Sequence, residues 1–153
     1  MSLKEYQEKR RFAKTPEPRG KVGKGKESRR FVIQKHDARN LHYDLRLEID
    51  GVLKSWAVPK EPPKSTGVKR LAIRTEDHPI DYFDFEGVIP KGQYGAGKVK
   101  VWDKGKFEIE KDSAQKPEDG NLIFSLFGDK IKGKYALINT KDKNWLFFKA
   151  KED

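Results

Sequence analysis

Three histidines, His36, His42 and His78, are the only imidazoles in this chain, and two of them fall in one short stretch, His36-Asp37-Ala38-Arg39-Asn40-Leu41-His42-Tyr43-Asp44-Leu45-Arg46-Leu47-Glu48. Over residues 41–50, Leu41, Tyr43, Leu45, Leu47 and Ile49 alternate with His42, Asp44, Arg46, Glu48 and Asp50. Period two specifies a strand. Residues two apart on a strand project from one face about 6.5 to 7 Å from each other, so His42, Asp44 and Arg46 can all reach one bound ion or phosphate. His36, at the end of the preceding apolar run, can return to the same face. Imidazole is the commonest protein ligand for transition metals, and two His plus one Asp leave positions open for water and substrate. Such a set suits Mn²⁺ or Zn²⁺ acting as a Lewis acid on a phosphoryl oxygen. Arg46 matches phosphate oxygens by two-pronged hydrogen bonding. Two plainer readings stay open: a strand whose polar face is simply solvated, and an Arg46 paired with Asp44 or Glu48. His78 and Tyr82, four apart, can share one helical turn, although a lone His beside Pro79 is also an ordinary loop residue. Lys60, Arg70 and Arg74 are candidate phosphate donors or merely solvated cations.

These residues need a scaffold, and the composition limits which one. A chain of 153 residues with 35% hydrophobic content suits one compact domain with a core of ordinary size. There are no cysteines, which excludes disulfides, thiolate catalysis and Cys-ligated zinc or iron–sulfur sites. No apolar run approaches the roughly 18 residues that span a bilayer, and the N-terminus is charged, so a soluble, non-secreted, cytoplasmic protein is expected. The net charge of +10 is uneven: residues 1–30 carry 11 Lys/Arg against 4 Glu, whereas residues 31–153 carry 23 against 20 acidic groups. A basic leader containing Gly and Pro, ahead of a balanced domain, can grip a polyanion or serve only as a solvated tail. The expected division is a flexible, partly helical leader at 1–29 and a folded domain at 30–153.

Within the leader, residues 3–12 can form a short helix with Ser2 as N-cap, marginal unless docked, and 14–30 should be mobile. The pattern then predicts strands at 31–35, 41–50 and 52–58, the second and third joined by an Asp50-Gly51 hairpin turn. Further strands are predicted at 70–75, with Leu71 and Ile73 on one side and Arg70, Ala72 and Arg74 on the other, and at 98–102, 106–110, 121–127, 130–139 and 145–149. Asp103-Lys104-Gly105 and Gly128-Asp129 read as turns between them. Gly92, Gly95 and Gly97 have the wrong spacing for a dinucleotide or P-loop fingerprint and read as turn residues. Roughly eight strands with few short helices predict a mainly β chain, an antiparallel β-barrel.

Four stretches carry a specific resemblance. Phe31-Val32-Ile33-Gln34-Lys35-His36 through Glu48, Leu53-Lys54-Ser55-Trp56-Ala57-Val58-Pro59-Lys60, Glu76-Asp77-His78-Pro79-Ile80-Asp81-Tyr82, and Phe85-Glu86-Gly87-Val88-Ile89-Pro90 followed by Tyr94-Gly95-Ala96-Gly97 resemble the 3'-phosphoesterase domain of bacterial DNA ligase D, which also occurs as stand-alone proteins. The similarity runs from about Phe12 to Lys151. The resemblance implies a β-barrel, manganese-dependent enzyme of DNA end joining. It would remove a 3'-terminal ribonucleoside from a primer-template and then the resulting 3'-phosphate, leaving a 3'-OH. It implies metal ligands at His36, His42 and Asp44, with Co²⁺ or Zn²⁺ as other candidate ions. Arg46, His78 and Tyr82 would serve the scissile phosphate, and Gln34, Lys60, Arg70, Arg10 and Glu17 would also contribute to the site. The implied partners are DNA or DNA/RNA primer-template 3' ends and a separate ATP-dependent ligase and polymerase or primase. The protein itself would be a nucleoid-associated monomer. In ligase-linked members an Arg-Asp-Phe segment precedes Thr-Pro-Glu-Pro; here Arg10-Arg11-Phe12 precedes Thr15-Pro16-Glu17-Pro18, so Arg11 replaces the acidic residue and the balance of diesterase and monoesterase activity is open.

The expected mechanism is metal-assisted phosphoryl hydrolysis, with Arg46 and His78 neutralising transition-state charge, His78 also able to protonate the leaving oxygen, and water or a histidine as nucleophile. Two rivals belong to other classes: a non-catalytic barrel binding single strands or junctions, with Tyr94 and Trp102 stacking on bases, and a hydrolase of small phosphorylated metabolites.

Overall fold

The computed structural model describes residues 3–20 and 29–152. A five-residue helix α1 (Lys4–Glu8) precedes nine strands: β1 (Arg30–Asp37), β2 (Leu41–Ile49), β3 (Val52–Val58), β4 (Lys69–His78), β5 (Gly87–Ile89), β6 (Gly97–Ile109), β7 (Leu122–Phe127), β8 (Lys132–Lys141) and β9 (Asn144–Lys149). Antiparallel pairing runs β1-β2-β3-β4-β9-β8-β7-β6, and β6 returns to β1, closing a barrel of eight strands; β5 adds only to β6. This is the mainly β barrel that the strand pattern predicts, and closure leaves its eight strands no bare edge.

Two clusters of apolar side chains hold it. The barrel interior is filled by Phe31, Ile33, Leu45, Leu47, Trp56, Phe107, Phe124, Leu137 and Phe147, among others. A second cluster lies outside: Tyr6, Val32, Leu53, Tyr82, Phe83, Phe85, Ile89 and Val99. The alternation on β1 explains the pair, since Phe31 and Ile33 point inward while Val32 points out to the second cluster. The consequence is visible on β2, where both parities are buried from Tyr43 to Ile49. On its polar face the Arg46 guanidinium lies 4.9 Å from the centre of the Tyr82 ring.

The leader packs through Tyr6, which is fully buried and donates its hydroxyl to the Pro18 carbonyl. A helix of five residues would not persist alone, so docking holds it. Leu3 occupies the N-cap without a side-chain hydrogen bond; the Ser2 cap, and residues 21–28 of the stretch expected to be mobile, lie outside the described residues.

Two linked expectations change. The stretches 98–102 and 106–110 are one strand, because Asp103-Lys104-Gly105 stays extended and pairs with Ile33, Val32 and Phe31. The buried Asp103 carboxylate accepts N–H groups of Asp129, Lys130 and Ile131, so it caps the β7–β8 turn and makes none of its own. Gly105 marks a close approach: a Cβ there would lie 2.1 Å from the Phe127 carbonyl oxygen. On β4 the interior side is that of Ala72, fully buried, while Leu71 is exposed. Arg74, on the Ala72 side, lies over the Trp56 ring and pairs with Glu118 at 2.6 Å; Glu118 and Asp77 also hold the buried Lys54 ammonium at 3.2 Å each. A charged cluster therefore packs on the same side of β4 as the buried Ala72, and the predicted division of Leu71 from Ala72 and Arg74 between two sides stands.

Candidate metal centre and phosphate cleft

The β1–β2 hairpin assembles the centre. Its register sets His36 opposite His42 and Gln34 opposite Asp44, with the chain turning through residues 38–40. Paired residues point to one face, so a hairpin with this register must bring both imidazoles to the Asp44 carboxylate. His36 Nδ1 lies 3.4 Å from Asp44 Oδ2, and His42 Nε2 lies 3.3 Å from Asp44 Oδ1. One ligand atom from each of the three residues lies within 4.8 Å of the others.

The far nitrogens decide what the near ones can do. His36 Nε2 is 2.7 Å from the Gly95 carbonyl oxygen, and His42 Nδ1 is 3.0 Å from the Asn40 carbonyl oxygen. A carbonyl only accepts, so each far nitrogen carries the proton and each near nitrogen of a neutral ring presents a lone pair. Two lone pairs and a carboxylate converging on one point form a donor set that repels itself unless a proton or cation lies between them. The residues present thus fit a divalent metal, and the carbonyl anchors are the outer contacts that orient metal-binding imidazoles. Burial opposes ionisation of Asp44, yet the Arg46 charge and the two imidazoles hold its carboxyl far below the usual carboxylate range. For His42, burial pulls the pKa down but the hydrogen bond and charge of Asp44 outweigh it, so the ring holds its proton more tightly than usual.

Gly95 shows how narrow the fit is. Its φ is +75°, and a Cβ there would lie 3.5 Å from His36 Cε1. Gly95→Ala strains the backbone and tilts the carbonyl that orients His36. A roughly tenfold loss of divalent-metal affinity is expected by titration calorimetry, the size seen when outer-shell contacts of metal sites are removed; an unchanged affinity would deny Gly95 this part.

Beside the centre, Arg46 is buried and locked. Its Nε donates to Gln34 Oε1 at 2.7 Å, its Nη1 to Ser55 Oγ at 2.9 Å, and its Nη2 lies 3.5 Å from Asp44 Oδ2. The ion pair with Asp44 is therefore real, and it coexists with a position on the cleft wall. A second guanidinium comes from the leader. Arg10 donates to Glu17 Oε2 at 2.9 Å and to the Tyr6 carbonyl at 3.0 Å, stacks on the Tyr6 ring at 3.9 Å, and lies 3.3 Å from His78 Nε2. Glu17 accepts from Thr15 and from the Tyr82 hydroxyl, the latter at 2.7 Å. His78 Nδ1 donates to the Glu76 carbonyl at 3.0 Å, which leaves Nε2 to accept from Arg10. Burial, then the charges of Arg46 and Arg10, push His78 well below its ordinary pKa. It is a neutral ring with no proton on Nε2, so the positive charge expected of it must come from the two guanidiniums. Burial raises the Tyr82 phenol, which stays protonated.

These groups line one cleft of about 540 Å³ that includes Arg10, Glu17, His36, His42, Asp44, Arg46, His78 and Tyr82. Gln34 is fully buried behind it, with its amide donating to the Tyr82 and Phe85 carbonyls, and orients Arg46. Lys60 and Arg70 do not line the cleft; both stand outside it, and Arg70 Nε donates to the Glu61 carbonyl. The exposed Arg11 does not line it either. His78 and Tyr82 do meet, with ring centroids 4.8 Å apart, but His78 ends β4 and Tyr82 lies in a 3₁₀ turn at Ile80–Asp84, so no helical turn joins them. Sequence reasoning missed Ser55, Glu76 and Lys9. Glu76 lines the cleft and takes Lys9 at 3.2 Å, while Lys9 also reaches the Tyr94 hydroxyl at 3.4 Å. The Asn40 and Gly95 carbonyls carry no side-chain signal at all.

The profile of the DNA Ligase D 3'-phosphoesterase domain matches residues 34–139. The multifunctional non-homologous end joining protein LigD of Mycolicibacterium smegmatis is 52% identical over 157 aligned residues, covering 98% of this chain and 21% of that protein. Its namesake in Pseudomonas aeruginosa is also 52% identical, covering 98% of this chain and 19% of that protein. The multifunctional non-homologous end joining DNA repair protein LigD of Mycobacterium tuberculosis is 51% identical, over 97% of this chain and 20% of that protein. The chain thus spans about a fifth of the length of the curated relatives it matches.

Proposed function

This chain belongs to the DNA ligase D 3'-phosphoesterase family, and from that premise we propose that it heals DNA 3' ends. The reaction is removal of a 3'-terminal ribonucleoside from a primer-template, then of the 3'-phosphate left behind. The observation that carries this reading is the convergence of His36, His42 and Asp44 next to two guanidiniums in one cleft. His36 Nδ1, His42 Nε2 and Asp44 would hold Mn²⁺, which when bound supplies Lewis acidity to a phosphoryl oxygen. Co²⁺ and Zn²⁺ suit the same donors.

The chain's own residues do the remainder. Arg46, held rigid by Gln34 and Ser55, and Arg10, held by Glu17 and Tyr6, aim charge at the phosphate oxygens without needing to reorganise. His78 positions Arg10 by accepting its N–H. Tyr82 acts through Glu17, donating to the carboxylate that anchors Arg10. In the first step the oxygen of water bonds to phosphorus and the bond from phosphorus to the departing nucleoside's 5' oxygen breaks. In the second step the oxygen of another water bonds to phosphorus and the bond to the strand's 3' oxygen breaks, releasing inorganic phosphate and leaving a 3'-OH; in each step a proton from the water ends on the departing oxygen. The proposal concerns 3'-end processing by these residues and assigns them no ligation or synthesis.

A 5'-labelled primer-template whose primer ends in one ribonucleotide tests the proposal on a gel. With Mn²⁺ the expected products are the shortened 3'-phosphate strand followed by the 3'-OH strand, both absent when chelator is present. No product with Mn²⁺, or product indifferent to chelator, overturns it; binding without product is the signature of a non-catalytic barrel.

A further inference from the structure

The reverse face of the ribbon that carries the metal ligands holds a second arrangement of charge. In the β6-β1-β2 register, Lys100 stands opposite Lys35, and Lys35 opposite Tyr43, so all three share one face. Trp102, two residues beyond Lys100, packs edge-on against Tyr43 with centroids 5.7 Å apart. Lys130, from the β7–β8 turn, and Lys64, from the loop after β3, place their ammonium groups 4.9 and 5.6 Å from the Trp102 ring centre. Like charges directly opposite on neighbouring strands are destabilising. Among the described residues, neither the Lys35 nor the Lys100 side chain has a hydrogen bond, ion pair or ring contact. Lys64 alone of this group has a carboxylate partner, the exposed Glu61 at 3.6 Å.

We propose that this face, the barrel mouth around Trp102, is a second contact surface for a nucleic-acid phosphate backbone, with Lys35 and Lys100 as its centre and Lys64 and Lys130 held in place on the Trp102 ring. Trp102 is then a seat for cations and not a stacking platform for bases, because both lysines already occupy its vicinity. The location favours nucleic acid over an acidic protein. Lys35 is the chain neighbour of His36 on the opposite face, and the 38–40 turn between β1 and β2 lines the catalytic cleft with Ala38, Arg39 and Asn40. A strand whose 3' end enters the cleft reaches this row by crossing that turn. The inference rests on the nucleic-acid reading above, but its test does not need catalysis.

The double variant Lys35→Gln/Lys100→Gln is compared with the parent by fluorescence anisotropy on a labelled primer-template without metal, across about 50 to 200 mM salt. Two lost phosphate contacts reduce the slope of log affinity against log salt by about 1.8. With Mn²⁺, KM should rise by about tenfold while kcat stays within about twofold, since the variant leaves the cleft intact. Lys111→Gln/Lys141→Gln, in the turn after β6 and at the last residue of β8, is the charge-matched control and should keep the parent slope. A melting midpoint at or above the parent's confirms that the Lys35→Gln/Lys100→Gln protein is folded, because a repulsive pair has been removed. An unchanged slope, or an equal fall in the control, overturns the surface. A fallen slope with no product from the parent would sustain the surface and reject the proposed reaction.

Discussion

Replacing Asp44 with asparagine is expected to weaken Mn²⁺ binding by at least about 100-fold, beyond the 10 to 100-fold typical of outer-shell changes at metal sites. The substitution keeps size and shape but removes the only negative charge in the donor set. The asparagine amide also turns a donor toward imidazole nitrogens 3.3 and 3.4 Å away, or toward the Arg46 guanidinium. Metal Lewis acidity contributes several kcal/mol to such reactions, so turnover on the ribonucleotide-ended primer should fall by about a thousandfold or more. Stability falls too, because a buried guanidinium is left facing no charge; breaking a buried pair costs about 3–5 kcal/mol. The pH dependence has a definite sign. The folded Asp44 pKa lies far below the ordinary value of 3.8, so its stabilisation is fully present above that value and is lost only as pH falls toward the depressed one. The midpoint difference between parent and Asp44→Asn should therefore be the same at pH 5 and pH 7 as far as Asp44 is concerned, and shrink in strong acid. Titration calorimetry giving the parent Mn²⁺ affinity would remove the centre.

Arg46→Ala should separate catalysis from metal binding. All three ligands remain, so Mn²⁺ affinity should stay within a few-fold of the parent. Turnover should drop by about 100 to 1,000-fold, the effect of removing one preorganised donor from a developing oxyanion. The fold also loses: Gln34 Oε1, Ser55 Oγ and Asp44 Oδ2 are buried partners of this one side chain, so the variant should be destabilised by about 3–5 kcal/mol in chemical denaturation. Arg46→Lys keeps the charge but not the planar fork that satisfies these partners at once, and should recover little activity. Loss of Mn²⁺ binding in Arg46→Ala would mean the guanidinium maintains the metal centre and does not act on the phosphate.

Much of the site could be read from spacing. Strict alternation over residues 41–50 put His42, Asp44 and Arg46 on one face with His36 in reach of it, spacing singled out His78 with Tyr82, and the family resemblance added Arg10 and Glu17; all of these line the cleft. Lys60 and Arg70, also implied by resemblance, do not line it, and Gln34 stands behind it. Strand number was legible because alternation and turn residues are local. The interruption expected at Asp103-Lys104-Gly105 was not, because the Asp103 carboxylate serves a turn 26 to 28 residues away. Likewise, nothing in the polar parity of β2 shows that the Tyr82 ring covers Arg46.

What the sequence by itself determined is the donor chemistry: residue types and a two-residue period depend only on covalent order and strand geometry. What only the tertiary structure decided is the state of those donors. The Gly95 and Asn40 carbonyls choose which imidazole nitrogen carries the proton, and burial together with the charges of Arg46 and Arg10 lowers the His78 pKa. Both follow from segments distant in the chain meeting in a buried, weakly screened place, where a few ångströms of separation set the charge of a side chain.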